Sequence, residues 1–116
     1  MLDLYTDDAV FDVSNVFADV APLRGHEEIR RYWRTLRETW DGLRFDPLAG
    51  YDLGENRVVV DQRMWATGTH SKIEIDQRVA MLYTIRPADQ RITSAVLYTD
   101  LESAIAAAES RAAESV

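Results

Sequence analysis

Two stretches in the middle of the chain, Arg57 to Thr67 and Ile73 to Arg86, constrain the fold more than any other part of it. In the first, Val58, Val60, Gln62 and Met64 alternate with Val59, Asp61, Arg63 and Trp65. In the second, Ile75, Gln77, Val79 and Met81 alternate with Glu74, Asp76, Arg78 and Ala80. Period-two alternation is the signature of a strand with two distinct faces. If the segment from Gly68 to Lys72 joins them as an antiparallel hairpin, setting Trp65 opposite Glu74 also sets Arg63 opposite Asp76 and Asp61 opposite Arg78. The other face then pairs Met64 with Ile75, Gln62 with Gln77, Val60 with Val79 and Val58 with Met81. A one-residue slip breaks the charge match and the apolar match together. The expectation is a hairpin whose glutamine-bearing apolar face looks inward and whose charged face looks outward.

The remaining elements follow from shorter patterns. Ala9, Phe11 and Val13 alternate with more polar neighbours and predict a short strand. From Glu27 to Asp41, Ile29, Tyr32, Trp33, Leu36 and Trp40 recur at helical spacing, with Glu27 and Glu28 at the positive end of the dipole and Gly42 suited to the stop. Leu43 to Leu53 reads as a strand interrupted by Pro47 and Gly50, at an edge or a bulge. Arg91 to Thr99 is a further strand. Asp100 then caps a helix from Leu101 to about Ala108, and residues 109–116 are expected to fray. With no internal repeat, residues 1–116 read as one domain.

Three motifs carry a resemblance. Tyr5-Thr6-Asp7-Asp8-Ala9-Val10-Phe11-Asp12, Arg24-Gly25-His26-Glu27-Glu28-Ile29, and Asp52-Leu53-Gly54 followed by Val58-Val59-Val60 are similar to those of the SnoaL-like branch of the nuclear transport factor 2-like superfamily. The resemblance runs from Leu2 to about Ala108 and is weaker after Ser71. Lys72 replaces a usual glycine there, and Pro87 to Gln90 replaces a tighter turn. It implies an α+β cone of the cystatin-like type, a strongly curved and mostly antiparallel sheet closed by the long helix. It also implies that the family's N-terminal helix is missing, with Met1 to Tyr5 as the last turn of a second helix. Apolar surface left open on that side belongs to a longer product or is covered by a partner subunit, so a homodimer is expected.

Composition narrows the function classes. A chain of 116 residues with 47% apolar and 28% charged residues suits one globular domain. A net charge of −7 argues against nucleic acid. The arginines Arg30, Arg31, Arg34 and Arg37 share their helix with Glu27, Glu28 and Glu38, as on a solvated face. No apolar run is long enough to span a membrane. The lack of cysteine excludes disulfides and thiolate chemistry and is compatible with the cytoplasm. His26 and His70 are far apart and lack carboxylates at ligand spacing, so neither a metal nor a cofactor is expected.

The chemistry on offer is correspondingly spare. Limonene epoxide hydrolases, which the resemblance brings into view, use an Asp-Arg-Asp constellation. Asp61, Arg63, Asp76 and Arg78 have the right types but lie on the outward face, where a charge ladder is the commoner role. Against the ketosteroid isomerases, Val13 and Met81 stand where that family keeps carboxyl groups, and Asp12 is one residue out of phase. Asp12 and His26 are the remaining acid–base candidates. Gln62 and Gln77, with Phe11, Trp33, Trp40, Met64, Met81 and Tyr83 as walls, fit recognition of a small apolar molecule and equally fit a self-satisfied core. Three readings stay open: binding of a small apolar ligand; a cofactor-independent isomerase, polyketide cyclase or epoxide hydrolase; and a structural or accessory subunit. An open cone with the glutamines favours the first, an inward carboxylate the second, and a filled cone the third.

Overall fold

The computed structural model describes residues 2–70 and 72–114, with side chains as far as Ser110. Met1, Ser71 and the last two residues, to which the expected helical turn, hairpin loop and frayed tail extend, lie outside the described residues. A 3-10 turn at Leu2–Leu4 leads into β1 (Tyr5–Asp12), β2 (Leu23–Arg24), α1 (Gly25–Thr39), β3 (Trp40–Gly54), β4 (Arg57–Gly68), β5 (Glu74–Arg86), β6 (Arg91–Tyr98) and α2 (Leu101–Glu114). The six strands form one sheet in the order β2-β1-β6-β5-β4-β3. Only the β1–β6 pair is parallel among these neighbours. The architecture is the expected α+β cone.

The sheet divides the molecule into two cores. On its inner side, Ala9, Phe11, Met64, Val79, Met81 and Leu97 pack with Ile29 of α1. The segment 13–22 closes over this cluster by folding back on itself: Val16 and Phe17 donate their amides to the Val13 carbonyl at 3.0 and 2.8 Å. On the outer side, α2 lays Ala104 and Ala108 on Val59, Ala80 and Leu82. Asp100 caps α2 as expected, its Oδ1 accepting the Ser103 amide at 2.7 Å.

The β4–β5 register differs from the expected one by two residues. Arg63 stands opposite Arg78, Trp65 opposite Asp76, Gln62 opposite Val79 and Met64 opposite Gln77. A shift of two keeps every side chain on its predicted face, because the pleat repeats every second residue. The facing glutamine pair is lost, however. The cause lies in the turn, where Lys72 takes a left-handed φ of 58° and the Gly68 amide donates to the Ile73 carbonyl at 2.8 Å. The expected ion pairs survive as diagonals. Arg63 grips Asp76 with two hydrogen bonds of 2.7 and 2.6 Å, and Arg78 reaches Asp61.

Other boundaries move for local reasons. Tyr5 is already extended and buried in β1, so the family-like opening turn is a strand here. α1 ends at Thr39, and Gly42, with φ +62°, serves a bend inside β3 rather than the helix stop. β3 breaks register at Asp41/Arg44, Pro47/Ala49 and Asp52/Gly54, the bulged edge that Pro47 and Gly50 predict. α2 continues beyond Ala108 to Glu114, in keeping with its run of alanine and glutamate.

One side chain ties α2 to the sheet. The Arg57 guanidinium, 16% exposed, donates to the Ala108 carbonyl at 3.1 Å and lies 3.6 Å from Glu55. Replacing it by Met keeps the aliphatic stem and removes the charged donor. We expect Arg57→Met to lower unfolding free energy by about 1–3 kcal/mol in urea, with faster amide exchange in α2 as the local signature.

Candidate functional site

The inner face is built on an aromatic clasp between β1 and α1. Trp33 meets Phe11 edge-on, with ring centroids 5.8 Å apart, and Tyr5 at 5.9 Å, while Tyr32 lies 6.4 Å from Phe11. Helical spacing puts Ile29, Tyr32 and Trp33 on the side of α1 that meets the strand, and each edge-to-face pair adds about 0.5–1.5 kcal/mol beyond area burial. Deeper in the cone, the floor is Met64, Val79 and Met81.

Polar groups interrupt this apolar lining at few places. Gln62 is 7% exposed on the concave side of the sheet, and its amide bears on the half-buried Tyr83 phenol. Burial pushes the Tyr83 phenol up, and the Gln62 amide pulls it back. Tyr5, within electrostatic reach of Tyr83, has its phenol raised mainly by burial and secondarily by that neighbour. Both phenols therefore remain neutral at ordinary pH. Tyr5 was not a candidate in the sequence because its motif read as a helical turn; its even spacing from Ala9 and Phe11 was the available signal.

The expected site residues separate accordingly. Phe11, Gln62, Met64 and Met81 are buried on the inner face, with Trp33 and Tyr83 half-buried against that cluster. Trp40 sits at the start of β3 opposite Gly68. Gln77 stands beside Met64 but is exposed, so it does not share Gln62's environment. Asp12 and His26 are not brought together. Asp12 closes a local turn, its Oδ1 accepting the Ser14 amide at 2.9 Å and the Ser14 hydroxyl at 2.6 Å. His26, at the other end of β1, donates from Nε2 to the Tyr5 carbonyl at 3.0 Å. A carbonyl can only accept, which fixes the proton on Nε2.

The outer face carries the charges. Asp61 is the one buried carboxylate among the described residues, at 6% exposure, and it lies with Ala80 on the α2 side of the sheet. Val13 and Met81 are buried apolar residues. An open groove of about 770 Å3 lies outside the cone between β2 and α1, where Arg24 and Arg31 face Glu27 and Glu28 and Tyr32 forms part of the wall. Among the described residues, no His, Cys, Asp or Glu group could hold a metal ion, and no helix is long and apolar enough to cross a membrane.

If Asp12 serves only its turn, amide for carboxylate should be nearly silent. We expect Asp12→Asn to change stability by less than about 0.5 kcal/mol, and Asp12→Ala, which removes the acceptor, to cost about 1 kcal/mol in thermal or urea unfolding.

A family model described as a SnoaL-like domain matches residues 1–95. Several solved structures share the fold. A hypothetical protein of ketosteroid isomerase-like fold from Catenulispora acidiphila DSM 44928, in complex with trimethylamine, superposes with a TM-score of 0.73 at 17% identity, over 90% of this chain and 75% of that one. An NTF2-like protein from Burkholderia thailandensis E264 gives 0.72 at 22% identity, over 90% and 82%. A candidate SnoaL-like polyketide cyclase from Shewanella denitrificans OS-217 gives 0.69 at 21% identity, over 84% and 74%. No curated protein matches the sequence.

Proposed function

We propose, since the chain belongs to the SnoaL-like domain family, that it binds a small apolar molecule bearing a carbonyl or hydroxyl group inside the cone. The observation that carries this reading is the buried Gln62 amide on the inner face, in an otherwise apolar interior that also holds the phenols of Tyr83 and Tyr5. Buried polar groups are costly unless each has a partner, and a ligand oxygen is a suitable one. Met64 and Met81 supply walls that can repack around a guest, and Tyr32, shared between Phe11 and the outer groove, marks a way in. The Catenulispora neighbour, in complex with trimethylamine, supports small-molecule occupancy of this scaffold. Gln77, being exposed, plays at most a rim role in this scheme.

A second reading rests on a specific observation. Phe11, Met64 and Met81 are all buried in one cluster, which is how a self-filled cone of an accessory subunit would look. The enzymatic alternatives, an isomerase, cyclase or epoxide hydrolase, have less support, because Asp61 faces the outer side and Asp12 is engaged in a turn.

Titration of a panel of bicyclic ketones and alcohols, followed by tryptophan fluorescence from Trp33, tests the binding reading. We expect saturable quenching, weakened by about 1–3 kcal/mol in Gln62→Leu and unchanged in Asp12→Asn. No saturable response from any member would favour the self-filled cone. Turnover of an epoxide, enone or polyketide-like ketone that disappears with Asp12→Asn would favour the enzyme.

The proposal extends to a cytoplasmic homodimer. The support for the dimer is the part of the outer sheet face that α2 leaves open, where Trp65 is 37% exposed under the Arg44 guanidinium, 4.2 Å from the ring centroid, beside the charges of Arg63, Asp76 and Arg78. Two copies of such a face are self-complementary. Sedimentation velocity at about 50 micromolar should show a dimer, and a monomer there would refute it.

A further inference from the structure

We propose that residues 14–22, the segment between β1 and β2, form a lid that pivots on Val13 to admit the guest, and that the Asn15 side chain is its latch on β6. The inference rests on the ligand-binding reading above and adds the moving part to it.

A moving part is required because the interior is occupied. Phe11, Met64, Val79 and Met81 are buried in one cluster, and the roomy groove beside α1 lies outside the cone. A guest enters only where the wall yields, and the walls differ in what holds them. The central strands are locked by ladders. α1 is fastened by the fully buried Ile29, by the edge contacts of Trp33 with Phe11 and Tyr5, and by the bond from His26 to the Tyr5 carbonyl. Residues 14–22 belong to no helix or strand. They rest on the cluster through the half-buried Val16, Phe17 and Val20, while Asn15, Asp19 and Pro22 are exposed. A stretch with so little burial is the part of a wall that opens first.

The segment is wired to move as a unit. Val16 and Phe17 donate to the Val13 carbonyl, and Val20 donates to that of Phe17 at 3.0 Å, so these bonds close on the pivot or within the segment and survive its displacement. Its near hinge is the Asp12–Ser14 turn. Its far hinge is Pro22, which has no amide hydrogen to leave unpaired when the chain swings. The tether to β6 is of another kind. The parallel ladder of β1 with β6 runs out at Asp12 opposite Val96, and the next carbonyl along β6, that of Leu97, accepts the Asn15 amide at 3.1 Å, a bond spanning 82 positions of sequence. Asn15 is exposed, so water competes for both of its partners, as a reversible latch requires.

Fluorine NMR of protein labelled with para-fluorophenylalanine separates lid from core, because the chain has three phenylalanines, Phe11, Phe17 and Phe45. Phe17→Leu assigns the lid signal. The latch variants are Asn15→Ala and Asn15→Asp, whose carboxylate can only accept and so repels the Leu97 carbonyl. In both, the Phe17 signal should move toward its solvent-exposed value, further in Asn15→Asp, with the Phe11 signal in place. Stopped-flow mixing with the bicyclic ketone tetralone should show association and dissociation rising together about three- to tenfold in Asn15→Ala, with Kd held within about twofold. A bond serving stability alone would lower unfolding free energy and leave both rates where they were. Unchanged rates, a Phe17 signal that stays put in both variants, or one that moves together with Phe11, overturns the lid and leaves the binding reading standing. If no ketone of the panel binds wild type, the binding reading fails and the Phe17 signal alone decides the lid. If Asn15→Asp fails to fold, Asn15→Ala decides.

Discussion

The pairing of β4 with β5 governs the chemistry available to this molecule. Because successive residues on a strand point to opposite faces, one decision assigns Gln62, Met64, Val79, Met81 and Tyr83 to the interior and Asp61, Arg63, Asp76 and Arg78 to the exterior. Everything functional follows from that partition. Asp61 and Asp76 are paired with guanidinium groups outside, while the interior receives neutral amide and phenol groups. The aromatic clasp of Trp33 with Phe11 and Tyr5 then lays α1 on the inner face.

What was legible in the sequence follows the same geometry. The face of each central side chain could be read, because a wrong parity would have buried two arginines and two aspartates. The register itself could not, because a shift by two conserves parity, and arginine is long enough to reach a carboxylate one step along the diagonal as easily as one directly across. The deciding information was the left-handed conformation of Lys72, a backbone choice that lysine does not advertise. Pro47 and Gly50 did advertise the breaks in β3, since each forbids or weakens a regular ladder.

The candidate site was legible only in part, for a related reason. Gln62 was recognisable as a polar residue on an apolar face, but its cross-strand neighbour was not, because that depends on the register. With the observed pairing, Gln77 moves beside Met64 at the exposed end of the face, and Val79 takes its place opposite Gln62. Tyr5 read as the last turn of a helix, whereas it opens β1, whose pairing with β6 slips between Tyr5 and Val10. His26 reaches this same irregular segment, so the start of β1 also anchors the start of α1.

The bulged β3 has a bearing on how the protein behaves among many copies of itself. It is the outermost strand of the sheet, fifteen residues long, and it exposes Phe45, Leu48 and Tyr51. A flat strand with such side chains and an open row of amides and carbonyls would be a template for uncontrolled fibril-like growth. Three interruptions of register, with Pro47 lacking an amide hydrogen to offer, mean that no foreign strand can zip along its full length. The irregularity that makes β3 a poor ladder thus also makes its long, partly apolar edge a poor template for a further strand.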